Sequence, residues 1–315
     1  FMLVPLLWYY AGRRLGTPEV VLNLLRAALV ISILGAMYGL YQTWFGYLPS
    51  EQMWVDIHRV SDIRPFSFFT LMPEYALFLT LGVAVLWAAV LKGNRAALLP
   101  MPLLAVAIFF LSSRGTVVST IFVCTALWAI QGKSIRVWLP RAVLAAILAC
   151  FGLIWSMHEA QKIDFGLQTQ ALVAHQTAGI LDPAHSSAPG HATMIFNGVI
   201  EGLKAPLGHG LGSTSLAAGT FGTGSLTTES DWGDSFVALG IPGGLLYSLV
   251  IVIALLSAVR QWIRTRSFVS LTVFGILLSG LGHWMYGDFY AMTMLIWFLI
   301  GAQDRPIRAL PKAAE

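Results

Sequence analysis

The run Thr228-Glu229-Ser230-Asp231-Trp232-Gly233-Asp234 passes straight into Ser235-Phe236-Val237-Ala238-Leu239, so three carboxylates stand immediately before an apolar helix. It closes a polar interval, residues 158–234, that holds seven of the fifteen acids and five of the seven histidines. The sequence on either side of that interval is apolar. Hydrophobic residues make up 57% of the chain and charged ones 11%, where soluble domains carry about 25% charged residues. Mean hydropathy is +0.74. Several apolar runs reach the roughly 17–25 residues that a helix needs to cross a bilayer core, and the short alternating segments of a β-barrel are not seen. The fold read from this pattern is an all-α polytopic membrane protein, with the polar interval as one large extracytoplasmic loop closing over a site at the membrane surface.

About nine transmembrane helices are expected: a partial first one over 1–11, then 27–48, 66–91, 96–112, 115–131, 142–157, 236–259, 268–282 and 289–302. Three regions follow: an N-terminal transmembrane bundle (1–157), the loop with a short amphipathic helix (158–235), and C-terminal transmembrane helices with a short cytoplasmic tail (236–315). The chain opens already apolar and without a basic segment, so further spans are expected upstream. Alternating sides through these spans sorts the charges. One side takes 14 of the 19 basic residues and, of the acids, only Glu19, Asp304 and Glu315. An excess of Lys and Arg marks that side as cytoplasmic. The other side takes Arg59, Arg64, Arg114, Lys162, Lys204, the remaining acids and all the histidines. The net charge of +4 therefore follows topology and implies no nucleic-acid partner. Cys124 and Cys150 fall inside apolar runs and read as membrane thiols, not as a disulfide or metal framework.

The arginines on the acidic side run against the topology rule and call for an explanation. Arg114 sits where two apolar runs meet, and an ionisable group there is expensive enough that a functional reading comes first, with a snorkelling anchor as the plain alternative. A guanidinium between spans suits a planar anionic partner, above all phosphate. Arg64-Pro65-Phe66-Ser67-Phe68-Phe69 precedes Pro73-Glu74-Tyr75-Ala76 and is expected to open a helix, which would set Arg64 at an anion-favouring N-terminus. Arg59 lies upstream in the same loop, and Asp62 is a local partner for either arginine. In Ser112-Ser113-Arg114-Gly115-Thr116 the small residues allow a bend or close packing, or simply make a turn.

Within the large loop, Met194, Ile195, Val199, Ile200 and Leu203 space out as one face of an amphipathic helix over the outer surface. Behind it comes Ala205-Pro206-Leu207-Gly208-His209-Gly210-Leu211-Gly212, which shapes either a turn against a ligand or a plain loop. His191 and His209 read as loop histidines or as contacts to a sugar; the spacing of a metal site is missing. At the head of the next span, Glu229 and Asp231 are candidate general bases at a low-dielectric edge. Helix capping by Asp231 or Asp234 is the plain alternative. Trp232 suits interfacial anchoring or stacking on a sugar ring.

These four motifs, in this order and on these sides, resemble the O-antigen ligase/polymerase superfamily over roughly residues 59–244. Its members share many spans in a glycosyltransferase-C-like arrangement, an arginine opening one helix, a Ser-Arg-Gly turn, and a long periplasmic loop before a Gly-x-x-Gly span. The resemblance implies a bacterial inner-membrane glycosyltransferase facing the periplasm. Its donor would be an undecaprenyl-diphosphate-linked oligosaccharide, its acceptor a growing glycan or a lipid, and it would need no metal and no cofactor. Arg64 and Arg114 take the family's diphosphate-binding role, with Arg59 as a further candidate. The family's ligases carry a His-Asn pair about eleven residues before the first Gly of the last motif; here those positions are Glu229-Ser230. A loop arginine near the amphipathic helix is also replaced, with His191 nearby. Both departures favour an O-antigen or exopolysaccharide polymerase over a ligase to lipid A-core. A transporter of lipid-linked sugars is the rival from another class, although internal repeats and mid-membrane charges typical of transporters are not visible.

Overall fold

The computed structural model describes residues 3–58, 64–132, 134–181, 188–214, 226, 228, 230–281 and 290–304. Among these the regular structure is entirely helical: α1 (Leu3–Leu15), α2 (Pro18–Phe45), α3 (Pro49–His58), α4 (Met72–Leu91), a 3-10 turn (Arg95–Leu98), α5 (Met101–Phe110), α6 (Arg114–Ala129), α7 (Ile135–Ala160), α8 (Leu167–Leu181), α9 (Ala188–Lys204), α10 (Asp231–Thr265), α11 (Phe268–Ser279) and α12 (Tyr290–Gln303). Four of them, α2, α4, α7 and α10, are long and apolar enough to cross a membrane. The apolar runs expected to span at 96–112, 115–131, 268–282 and 289–302 form shorter helices. At 1.5 Å per residue the ten residues of α5 reach only about 15 Å and the sixteen of α6 about 24 Å, against a hydrocarbon core of roughly 30 Å.

Caps explain several boundaries. Thr17 accepts the Val20 N–H with Pro18 in the first turn, so α2 starts nine residues before the apolar run suggests and takes Arg26 into its third turn. Ser113 opens α6, Ser230 opens α10 and Ser267 opens α11, each accepting an N–H from three residues on. Asp231 and Asp234 are therefore not the caps of α10; they stand inside its first turn.

Helix α4 is the axis of the bundle, buried along most of its length and packed on α2, α5, α6, α11 and α12. Its seam with α2 is made of small residues. Gly82 lies against Ser32, Gly39 lies against the Tyr75 ring, and Ser32 Oγ donates to the Phe78 carbonyl at 2.7 Å. Toward α6, Thr80 and Thr120 share a hydrogen bond of 3.2 Å and the Trp87 indole donates to the Cys124 carbonyl. In lipid, close approach through small residues and interhelical hydrogen bonds of about 0.6 kcal/mol each do the work that water exclusion does elsewhere.

The helix ends sort by charge. Trp262 of α10 donates to the Ile130 carbonyl at the end of α6, Lys92 at the end of α4 donates to the Arg266 carbonyl, and Arg13 and Tyr9 of α1 meet Asp304 beyond α12. Those contacts gather Arg13, Lys92 and Arg266 at one end, the basic end. The opposite end holds the close of α2 and α5 and the starts of α4, α6 and α10.

The interval 158–235 does not form a plain loop with one helix. Its α8 is inserted against α2, α5, α6 and α7, with Val173 packed on Phe110 and Ala160. Its α9 docks on α10 through Gly198 and Gly202, which touch Gly233 and Phe236 and have no room for a methyl group. Of the apolar face read from the sequence, Met194, Ile200 and Leu203 are exposed and point away from this contact. The glycines win the interface because only a face without side chains lets two helix backbones approach this closely.

Candidate functional site

Arg64 and Arg114 come from segments fifty residues apart and meet at a single imidazole. One guanidinium nitrogen of Arg64 lies 3.1 Å from His175 Nε2, and one of Arg114 lies 3.3 Å from the same atom. The two cations are thus within two hydrogen-bond lengths of each other. A guanidinium only donates, so these contacts make Nε2 the acceptor and leave the ring proton on Nδ1. His175 is exposed and both arginines are half-buried.

Each arginine is set by its surroundings. Arg64 was expected at a helix N-terminus, but α4 opens eight residues later, at Met72. In between, residues 64–71 run as irregular backbone held by the buried Gln42 side chain. Gln42 accepts the Phe66 and Ser67 N–H groups at 3.1 and 2.7 Å and donates to the Ser67 carbonyl at 3.0 Å. Ser67 is thereby kept in the left-handed region at φ 58, and its hydroxyl donates to the Gly35 carbonyl. Side-chain partners for backbone groups are what let a non-helical segment exist among apolar helices. Tyr47 donates to the Arg64 carbonyl at 2.7 Å, and burial lifts its phenol to about 12, so it remains a donor.

Arg114 is the first residue of α6. The turn before it is made by Ser112, left-handed at φ 55, whose hydroxyl donates to the Leu172 carbonyl of α8. Gly115, expected to allow the bend, lies within the helix facing open space. On α8, Gly179 stands one turn from His175, and the Arg114 side chain crosses it so closely that a methyl group there would overlap the guanidinium. Gln176, beside His175, is fully buried with neither amide atom hydrogen-bonded.

A second polar cluster heads α10. Asp234 Oδ1 accepts the Thr228 N–H at 2.7 Å and its hydroxyl at 2.9 Å, while Asp231, 2% exposed, accepts from the Tyr247 hydroxyl at 3.3 Å. Trp232 donates to Ser248 at 2.7 Å and packs edge-on to Phe236. The glycine-rich stretch 205–212 meets protein backbone. Helix α10 breaks at Gly240 (φ 66) ahead of Pro242, and the His209, Gly210 and Ile241 N–H groups pair with the Val237, Ala238 and Pro206 carbonyls. Gly208 and Gly240 each lack space for a methyl group at this crossing. His209 itself is exposed, 4.0 Å from a Glu201 oxygen. Arg59, Asp62 and Glu229 lie outside the described residues, as does the side chain of His191.

His175, Gly179 and Gln42 went unread in the sequence. The only signal for α8 is that residues 167–178 contain no glycine or proline. No family model, curated protein or solved structure matches this chain.

Proposed function

We propose that this chain is a membrane glycosyltransferase that polymerises undecaprenyl-diphosphate-linked oligosaccharide at the periplasmic face of the bacterial inner membrane. The observation that carries the reading is the approach of Arg64 and Arg114 to one exposed imidazole. The two donor forks converge on one spot, and a diphosphate supplies sets of oxygens for both. The ordered motifs that resemble the O-antigen ligase/polymerase superfamily point to the same ligand, and the Glu229-Ser230 departure points to a polymerase. The nine-span topology belongs to this proposal: α1, α2, α4, the 3-10 turn with α5, α6, α7, α10, α11 and α12 would cross in turn, with the basic end cytoplasmic.

In the proposed reaction an acceptor hydroxyl attacks the anomeric carbon as its bond to the diphosphate oxygen breaks. The bonding pair leaves with undecaprenyl diphosphate, whose growing charge Arg64 and Arg114 neutralise. The hydroxyl proton passes to a carboxylate, and the single displacement inverts the anomeric centre. Glu229 is the first choice for that base. Asp231 is the second, since it is buried and already accepts from Tyr247. His191, His209 and Trp232 remain candidates for sugar contact, and no step calls for a metal.

The test is polymer formation in cells lacking the native gene and complemented with Arg64→Ala or Arg114→Ala, with folded protein in the membrane verified. Loss of long polymer from both variants is expected. Normal polymer length from both would end the assignment, and a polymer that forms but is not attached to lipid A-core would favour the ligase reading instead.

A further inference from the structure

A cavity of about 610 Å³ opens at the basic end, between the first half of α2, the last half of α4 and the start of α11. Its size falls within the roughly 300–1,000 Å³ of ligand sites in general. Leu22, Leu25, Leu29, Val85, Leu86 and Phe268 make its wall, and Arg26, Lys92 and Asn94 stand on its rim. The wall offers water almost no hydrogen-bonding partner, so an apolar chain fits it far better than a polar solute. Beside the mouth Leu98 and Leu99 are exposed, Leu99 at 82%, which suits a side opening toward lipid.

The rim carries charge without counter-charge. Lys92 and Arg266 both sit over the Trp262 ring, 5.4 and 5.1 Å from its centroid. Lys92 otherwise donates to the Arg266 carbonyl, and Arg26 reaches only Asn23, at 3.4 Å. Among the described residues Arg26, Lys92 and Arg266 make no ion pair. Arg26 and Lys92, which line this mouth, with Arg266 behind Lys92, leave the neutralising anion to come from elsewhere. An apolar slot capped by such a rim matches the shape and charge of one kind of molecule.

We propose that this cavity is a binding site for an anionic diacyl phospholipid, one acyl chain in the slot and the phosphate between Arg26 and Lys92. Basic pockets between helices at the cytoplasmic surface recognise anionic headgroups in this way. The proposal needs only that the apolar helices sit in a bilayer. It stands whether or not the glycosyltransferase reading does.

The experiment is a titration of the purified full chain, in neutral detergent, with phosphatidylglycerol and with phosphatidylcholine of the same acyl chains, followed by native mass spectrometry. Phosphatidylglycerol is expected to bind about tenfold more tightly. Arg26→Gln combined with Lys92→Gln should bring the two lipids level, and Ala89→Phe, which projects into the slot, should weaken both. Equal binding of the two lipids to the unaltered chain overturns the proposal, and that arm depends on no variant. Full displacement of phosphatidylglycerol by millimolar inorganic phosphate also overturns it, because the slot would then contribute nothing.

Discussion

The two ends of the bundle both collect arginines, and they use them in opposite ways. At the basic end Arg13, Arg26, Arg264 and Lys92 are exposed and do not converge: Arg13 meets Asp304, Arg26 reaches Asn23, and Lys92 donates to the Arg266 carbonyl and sits over the Trp262 ring. At the far end only two described arginines are present, but separate segments bring them half-buried to one nitrogen of His175. Abundant charge orients a chain in a bilayer; convergent charge, fixed by rigid packing, makes a site. The proposed site therefore rests on where two basic residues meet and not on where basic residues are dense.

The largest expected effect tests that contrast directly. Arg64→Ala and Arg114→Ala should each lower polymerising activity by a hundredfold or more, about the 3 kcal/mol seen when one preorganised donor to a developing anion is lost. Arg264→Gln at the basic end should leave it unchanged in the same assay. An equal loss from Arg264→Gln would erase the distinction between the two ends.

Next comes the crossing that holds α9 and α10 together. Gly208→Ala must place a methyl group at a left-handed residue against the Ala238 carbonyl, so destabilisation of about 2–4 kcal/mol is expected, read as reduced thermal stability in detergent. Gln42→Leu strands the Phe66 and Ser67 N–H groups, with an expected cost of about 2–3 kcal/mol. Its sharper readout is activity, because Arg64 follows the position of that backbone.

Gly179→Ala is smaller and more specific. It displaces the Arg114 guanidinium without touching the arginine itself, so activity should fall about tenfold while thermal stability changes by under about 1 kcal/mol. A stability loss with normal activity would show that α8 only packs. The smallest effect belongs to Glu201, whose carboxyl is held below its ordinary value by the Lys204 hydrogen bond, at 2.6 Å. A depressed carboxylate contributes above its unfolded value and loses that contribution as pH falls through the folded one. The pair is surface-exposed, so Glu201→Gln should leave the melting curve unchanged between neutral and mildly acidic pH.

Apolar runs and capping chemistry made much of the bundle readable in advance: the cores of α2, α4, α7 and α10 fall where continuous hydrophobic sequence lies. What stayed hidden depends on contacts distant in sequence. Nothing around Arg64 announces that Gln42 will hold the following backbone out of a helix. Nothing in Gly198-Val199-Ile200-Glu201-Gly202 says that its glycines, not its aliphatic residues, face the protein. Arg64 and Arg114 stood out because charge is rare in apolar surroundings. His175 did not, because a lone histidine among polar residues carries no local signal of the arginines that will meet it.

The central claim is that the Arg64–Arg114 pair holds a polyprenyl diphosphate. Binding of undecaprenyl diphosphate to the purified chain, measured in saturating phosphatidylglycerol to occupy the basic end, tests it most directly. The account predicts saturable binding that weakens at least a hundredfold in the Arg64→Ala/Arg114→Ala double variant. Undiminished affinity in a folded double variant would contradict it.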